Sequence, residues 1–120
     1  MTDFSFPAFD RDHLALTCGD DIDFQREVIA DFLSHLDSRL EEIATAVASL
    51  DPAAVRHAAH ALKGASASLG APALAEASAR LESLGREREL DGVTAVLQRV
   101  RYEATRLREA LAGSPRDRAA

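Results

Sequence analysis

The sequence has no tryptophan, one cysteine, one methionine and few aromatic side chains of any kind, 5% of the chain. With Cys18 alone, no internal disulfide can staple the fold, and a reducing compartment is the simpler setting. The core has to be built from Leu, Val, Ile and Ala. Positive charge is also in deficit: Lys and Arg total 14 against 20 Asp and Glu, a formal net charge of −6. Nucleic-acid binders usually carry a basic stripe, so nucleic acid is not expected as a partner. No segment approaches the ~18 unbroken apolar residues of a membrane span. The start M-T-D-F-S-F lacks a basic leader followed by an apolar run. The expectation is a cytoplasmic protein with no membrane attachment.

What is present is a chain of 120 residues, 47% hydrophobic and 28% charged, the make-up of one soluble globular domain. Period-two alternation and hairpin turn signals are missing, whereas helical spacing recurs throughout. Phe4, Phe6 and Phe9, interrupted by Pro7, suggest an apolar cap. Asp10 can N-cap a short helix to about Thr17, with Leu14 and Leu16 as its contacts and Cys18-Gly19 as its stop. Asp20, Asp21 and Asp23 then open a long seam: Phe24, Val28, Ile29, Phe32, Leu33, Leu36, Leu40, Ile43, Val47 and Leu50.

Asp51-Pro52 is a start signal, because proline at the first helical position lacks only an N–H that would have no partner there. That helix should end at Leu69, closed by a left-handed Gly70, with Pro72 opening the next. Leu74, Ala77, Ser78, Leu81 and Leu84 form the inner face of the next helix, which Gly85 is expected to end. After R-E-R-E, a last helix begins near Leu90 or Asp91 and carries Val93, Val96, Leu97, Val100, Ala104, Leu107 and Leu111. The expected fold is all-α: an antiparallel up-and-down four-helix bundle with a short extra N-terminal helix. Residues 1–112 make the domain, and 113–120, beginning Gly113-Ser114-Pro115, make a flexible tail.

Chemistry concentrates between Arg56 and Gly70, R-H-A-A-H-A-L-K-G-A-S-A-S-L-G. At about 100° per residue, Val55, Ala58, Leu62, Ala65, Ser66 and Leu69 face inward. Arg56, His57, His60, Lys63, Gly64 and Ala67 face outward. An exposed imidazole is a nucleophile near neutral pH, and a phosphoryl group is a natural electrophile for it. Lys63, one turn on, can neutralise the charge that the phosphoryl group brings, and Arg56, one turn before, can assist. Gly64 costs a helix interior about 1 kcal/mol relative to Ala. If Gly64 simply ended the helix early, Ala65, Ser66 and Leu69 would not continue the inner face. Gly64 and Ala67 instead leave a bare patch for a partner's backbone.

H-A-L-K-G-A-S-A-S-L-G-A, His60 to Ala71, resembles the signature of histidine phosphotransfer (HPt) domains, an H-x-L-K-G core followed by small residues and a glycine. The D-F-L-S-H-L and L-A-E-A-S-A-R-L-E segments and the length are similar too, so the resemblance spans roughly Asp10 to Leu111. It implies a phosphorelay intermediate of two-component signalling. His60 would be the phospho-acceptor, Lys63 would steady the phosphoryl group, and Gly64 would admit a receiver domain. Arg56, His57 and Ala67 would flank that contact. Partners would be receiver domains of response regulators and hybrid histidine kinases, with phosphate passing from a receiver aspartate to His60 and on to another receiver. The carrier itself would need no cofactor, since Mg²⁺ belongs to the receiver, and a monomer is expected. Family members often place a glutamine on the neighbouring helix near the histidine. Glu82 or Arg86 is nearest here, and a carboxylate at Glu82 would not favour a phosphate.

Other readings are weaker. His57 and His60 form an H-x-x-H pair, but a metal needs further ligands and none is evident. His13 and His35 are read as surface or structural residues, and Arg99, Arg101, Glu103, Arg106, Arg108 and Glu109 as a solvated helix face. The absence of a G-x-x-x-x-G-K-[ST] loop or other glycine-rich phosphate cradle excludes an autonomous kinase. A structural or interaction bundle without phosphotransfer is the alternative, though it leaves Gly64 beside His60 and Lys63 unexplained. A start at Met1 with one domain suits a freestanding carrier; a domain cut from a hybrid kinase would look the same.

Overall fold

The computed structural model describes residues 6–112, which form five α-helices. These are α1 (Arg11–Cys18), α2 (Ile22–Ala48), α3 (Pro52–Leu69), α4 (Pro72–Arg86) and α5 (Val93–Ala112). The four long helices pack in a closed ring, α2 on α3, α3 on α4, α4 on α5 and α5 back on α2. Short connections join successive helices, a helical bundle consistent with the up-and-down arrangement, with α1 as the extra element. Phe4 and the 113–120 tail lie outside the described residues.

The helix starts have local causes. Asp10, Asp21 and Asp51 each accept a backbone N–H from the first turn through a side-chain oxygen. This satisfies donors that no earlier carbonyl can reach. Leu36, Ile43, Val55, Leu62, Leu74, Leu81, Val100 and Leu107 are fully or almost fully buried and form the core. Each such side chain contributes about 1.5–3 kcal/mol relative to exposure.

The N-terminal segment fastens the α3–α4 corner. The Asp10 N–H donates to the Gly70 carbonyl at 2.7 Å, and the Ala73 N–H donates to the Pro7 carbonyl at 3.1 Å. Gly70 has φ +95°, and a Cβ there would stand 2.7 Å from the Asp10 carbonyl oxygen. Two constraints therefore select glycine at this one position, the left-handed turn and the approach of the N-terminal segment.

Several expectations need correction. Phe24 is exposed at the start of α2, and Gln25 takes the buried position, donating its side-chain amide to the Gly19 carbonyl at 2.6 Å. Leu50 is exposed with φ +52° in the turn after α2, so the seam ends at Val47. Leu16 is exposed, and Leu14 alone of the two reaches the core. Ala59, which the spacing did not place inward, is fully buried in α3, while Ala58 and Ala65 pack against the core partly buried. Helix α5 starts at Val93, two or three residues after the expected Leu90 or Asp91, because Gly92 at φ +80° still belongs to the turn. Glu103 is 1% exposed, and not part of a solvated face: Arg99 and Arg106 of the same helix bond its two oxygens at 2.9 and 2.7 Å.

Gly85 is the most consequential correction, since it does not end α4, which continues through Arg86. It is a contact point. A Cβ on Gly85 would lie 2.6 Å from the Arg56 nitrogen and 2.7 Å from the Pro52 carbonyl oxygen. The bare backbone of α4 thus rests directly on the first turn of α3. Glu82, one turn earlier on α4, is brought within reach of the α3 surface.

Candidate functional site

The outward stripe of α3 is as the helical spacing requires: Arg56, His57, His60, Gly64 and Ala67 are exposed and Lys63 is half-exposed. The His60 side chain is 65% exposed. Beneath it lies Glu82 of α4, whose side chain is only 10% exposed. Glu82 Oε2 lies 2.9 Å from His60 Nδ1, and Oε1 lies 2.7 Å from Lys63 Nζ. One carboxylate therefore joins the histidine and the lysine across the α3–α4 interface.

The Lys63 ammonium is the main cause that holds the Glu82 carboxyl below the ordinary carboxylate range. Burial opposes this and the His60 hydrogen bond adds to it. An ionised carboxylate can only accept, so the imidazole must donate from Nδ1. The tautomer follows from the partner. Nε2 is left with its in-plane lone pair on the exposed edge of the ring, the arrangement a nucleophile needs.

Gly64 stands one turn beyond His60, and a Cβ built on it meets nothing within 4 Å. The chain's own packing does not require glycine there, so the open surface beside the imidazole is the consequence left to explain it. Arg56 and His57 line a small hollow of about 160 Å³ together with His60 and Glu82. His57 also faces the larger groove between α2 and α3, beside Glu41, Glu42 and Asp51. Ala67 lies on the same stripe but lines a different hollow, with Asp10, His13 and Pro72 at the α1 end.

Of the two neighbours weighed on α4, Glu82 contacts the histidine, while Arg86 is exposed and does not line the His60 hollow. The carboxylate bonds Nδ1 and not Nε2, and Lys63 offsets its charge. A signal for this was in the sequence. Glu82 falls on the inward face of α4 with Ser78, Leu81 and Gly85, and a carboxylate among such positions needs a buried partner. His35, by contrast, is occupied locally, its Nδ1 2.9 Å from the Asp31 carbonyl oxygen. No group of three or more His, Cys, Asp or Glu that could hold a metal occurs among the described residues.

A search of curated proteins found no match. Among solved structures, the chain is similar to the crystal structure of histidine-containing phosphotransfer protein B (HptB) from Pseudomonas aeruginosa PAO1. The two share 29% sequence identity and a TM-score of 0.75, over 84% of this chain and 89% of that one. The model of the Hpt domain matches residues 27–110, the span that holds most of α2, all of α3 and α4, and most of α5. By that match the chain belongs to the Hpt domain family.

Proposed function

We propose that this protein is a phosphorelay intermediate in which His60 Nε2 takes a phosphoryl group from the aspartate of one receiver domain and gives it to another. The observation that carries the proposal is the exposed His60 ring, fixed through Nδ1 by Glu82 so that Nε2 faces outward. Loading forms the Nε2–P bond and breaks the aspartyl O–P bond, the electron pair remaining on the receiver carboxylate. Lys63 lies within one turn to counter the charge of the bound phosphoryl group. Gly64 leaves room for the receiver's active-site loop, and Arg56 and His57 border the contact.

The chain brings the nucleophile and the docking surface. Mg²⁺ and the acidic residues that assist transfer belong to the receiver, and the phosphoryl group originates with a separate kinase. No described helix is long and apolar enough to cross a membrane, and the composition suits a cytoplasmic monomer meeting soluble receivers. The test is to mix the protein with receiver domains carrying labelled phosphate. Acid-labile, alkali-stable label on this chain is the expected result; absence of label with every cognate receiver would contradict the proposal.

A further inference from the structure

Glu82 has a second consequence, for unloading. In a phosphoryl-transfer cycle at Nε2, no proton has to move if Nδ1 keeps its hydrogen throughout. Loading then converts neutral imidazole into an Nδ1-protonated phosphoimidazole. Unloading forms an O–P bond to the receiver's aspartate, breaks the P–Nε2 bond, returns its electron pair to Nε2 and releases a neutral imidazole. If Nδ1 loses its proton while the phosphoryl group is bound, the leaving group becomes an imidazolate, which is far poorer. We propose that Glu82 is a positioning residue for discharge as well as loading, holding the proton on Nδ1 of phosphorylated His60 so that the ring leaves as neutral imidazole.

The proposal rests on the phosphocarrier reading of His60. Glu82 Oε2 stands 2.9 Å from Nδ1 on a side chain that water hardly reaches, where a carboxylate acts strongly on a neighbouring proton. The charged groups facing Glu82 come from α3: His60 and Lys63 in contact, with Arg56 and His57 in the same hollow. On α5, which packs against α4, the buried carboxylate Glu103 is directed to Arg99 and Arg106 of its own helix. Lys63 shares the Glu82 carboxylate and so tempers its pull on the Nδ1 proton. The two residues therefore act on discharge with opposite sign.

The experiment loads wild type, Glu82→Gln and Lys63→Met with phosphoramidate, a small phosphoryl donor that needs no partner protein. Discharge to a receiver domain is then timed between pH 6 and pH 9. Glu82→Gln keeps a hydrogen-bond acceptor at Nδ1 while it removes the charge and replaces the oxygen that accepts from Lys63 by an amide donor. Its discharge rate is expected to match wild type near pH 6 and to fall about tenfold below it at pH 8.5. The fall-off in Lys63→Met is expected to move to higher pH than in wild type. Equal slowing of Glu82→Gln at every pH would mean a merely structural role and overturn the proposal, as would shifts of the same sign in both variants. If wild type takes no phosphate on His60, the phosphocarrier reading fails. If wild type loads but the variant profiles coincide with it, only the discharge role fails.

Discussion

At the scale of single residues, three side chains and one missing side chain divide the work. In the proposed carrier, His60 supplies the nitrogen, Glu82 fixes which nitrogen, Lys63 balances charge, and Gly64 leaves the approach open. Gly64→Ala separates docking from folding. With nothing within 4 Å of the added methyl, folding stability should be unchanged or rise by up to about 1 kcal/mol. Transfer from a receiver should nevertheless slow. Denaturant unfolding and transfer kinetics on one preparation test both parts; a destabilised variant with normal transfer would reverse the assignment.

Glu82 also links folding to pH. Its carboxyl titrates lower in the folded chain than in the unfolded one. The stabilisation is therefore complete above the unfolded carboxylate's titration range and is lost as pH falls through the lowered folded value. Glu82→Gln should flatten part of the decline in melting temperature on acidification below the ordinary value of 4.5. Identical acid slopes for variant and wild type would contradict this.

At the scale of elements, the α3–α4 pair is the unit that builds the site. Asp51 and Pro52 set where α3 begins, Gly70 sets where it ends, and Gly85 sets how close α4 comes. An added methyl at Gly85 would meet backbone atoms at 2.6 to 2.9 Å, which cannot rotate away as a side chain would. Gly85→Ala should therefore destabilise the bundle by about 1–3 kcal/mol. It should also weaken the Glu82–His60 contact, measurable as a change in the His60 ring nitrogen signals in NMR. Unchanged stability would mean that α4 does not rest on α3 at this point.

The extent of α3 was legible because capping chemistry is local: Asp51, Pro52 and Gly70 act within one turn of the boundaries they set. Gly85 was not, because a glycine before R-E-R-E resembles a helix stop, and its true role depends on a helix distant in sequence. Leu50 fitted the three-and-four spacing of α2, but spacing alone does not reveal that the backbone has already turned to φ +52°. The burial of Glu103 was hidden for a related reason: the two arginines that cover it look, in sequence, like solvated neighbours.

For the whole molecule, four helices pack in a ring, with His60 carried mid-helix on α3 and not on a loop. The stripe from Arg56 to Ala67 was readable from periodicity together with the outlying cost of Gly64. Glu82 was legible as one of two candidate neighbours of the histidine, but its bond to Nδ1 in place of Arg86 was not, because α3 and α4 meet only in three dimensions. The most direct measurement is transfer of labelled phosphate from a receiver domain to wild type, His60→Gln and His57→Gln. The expected result is label on wild type and His57→Gln, and none on a folded His60→Gln. Label on His60→Gln, or equal loss in both variants, would contradict the assignment of His60 as the phosphoryl acceptor.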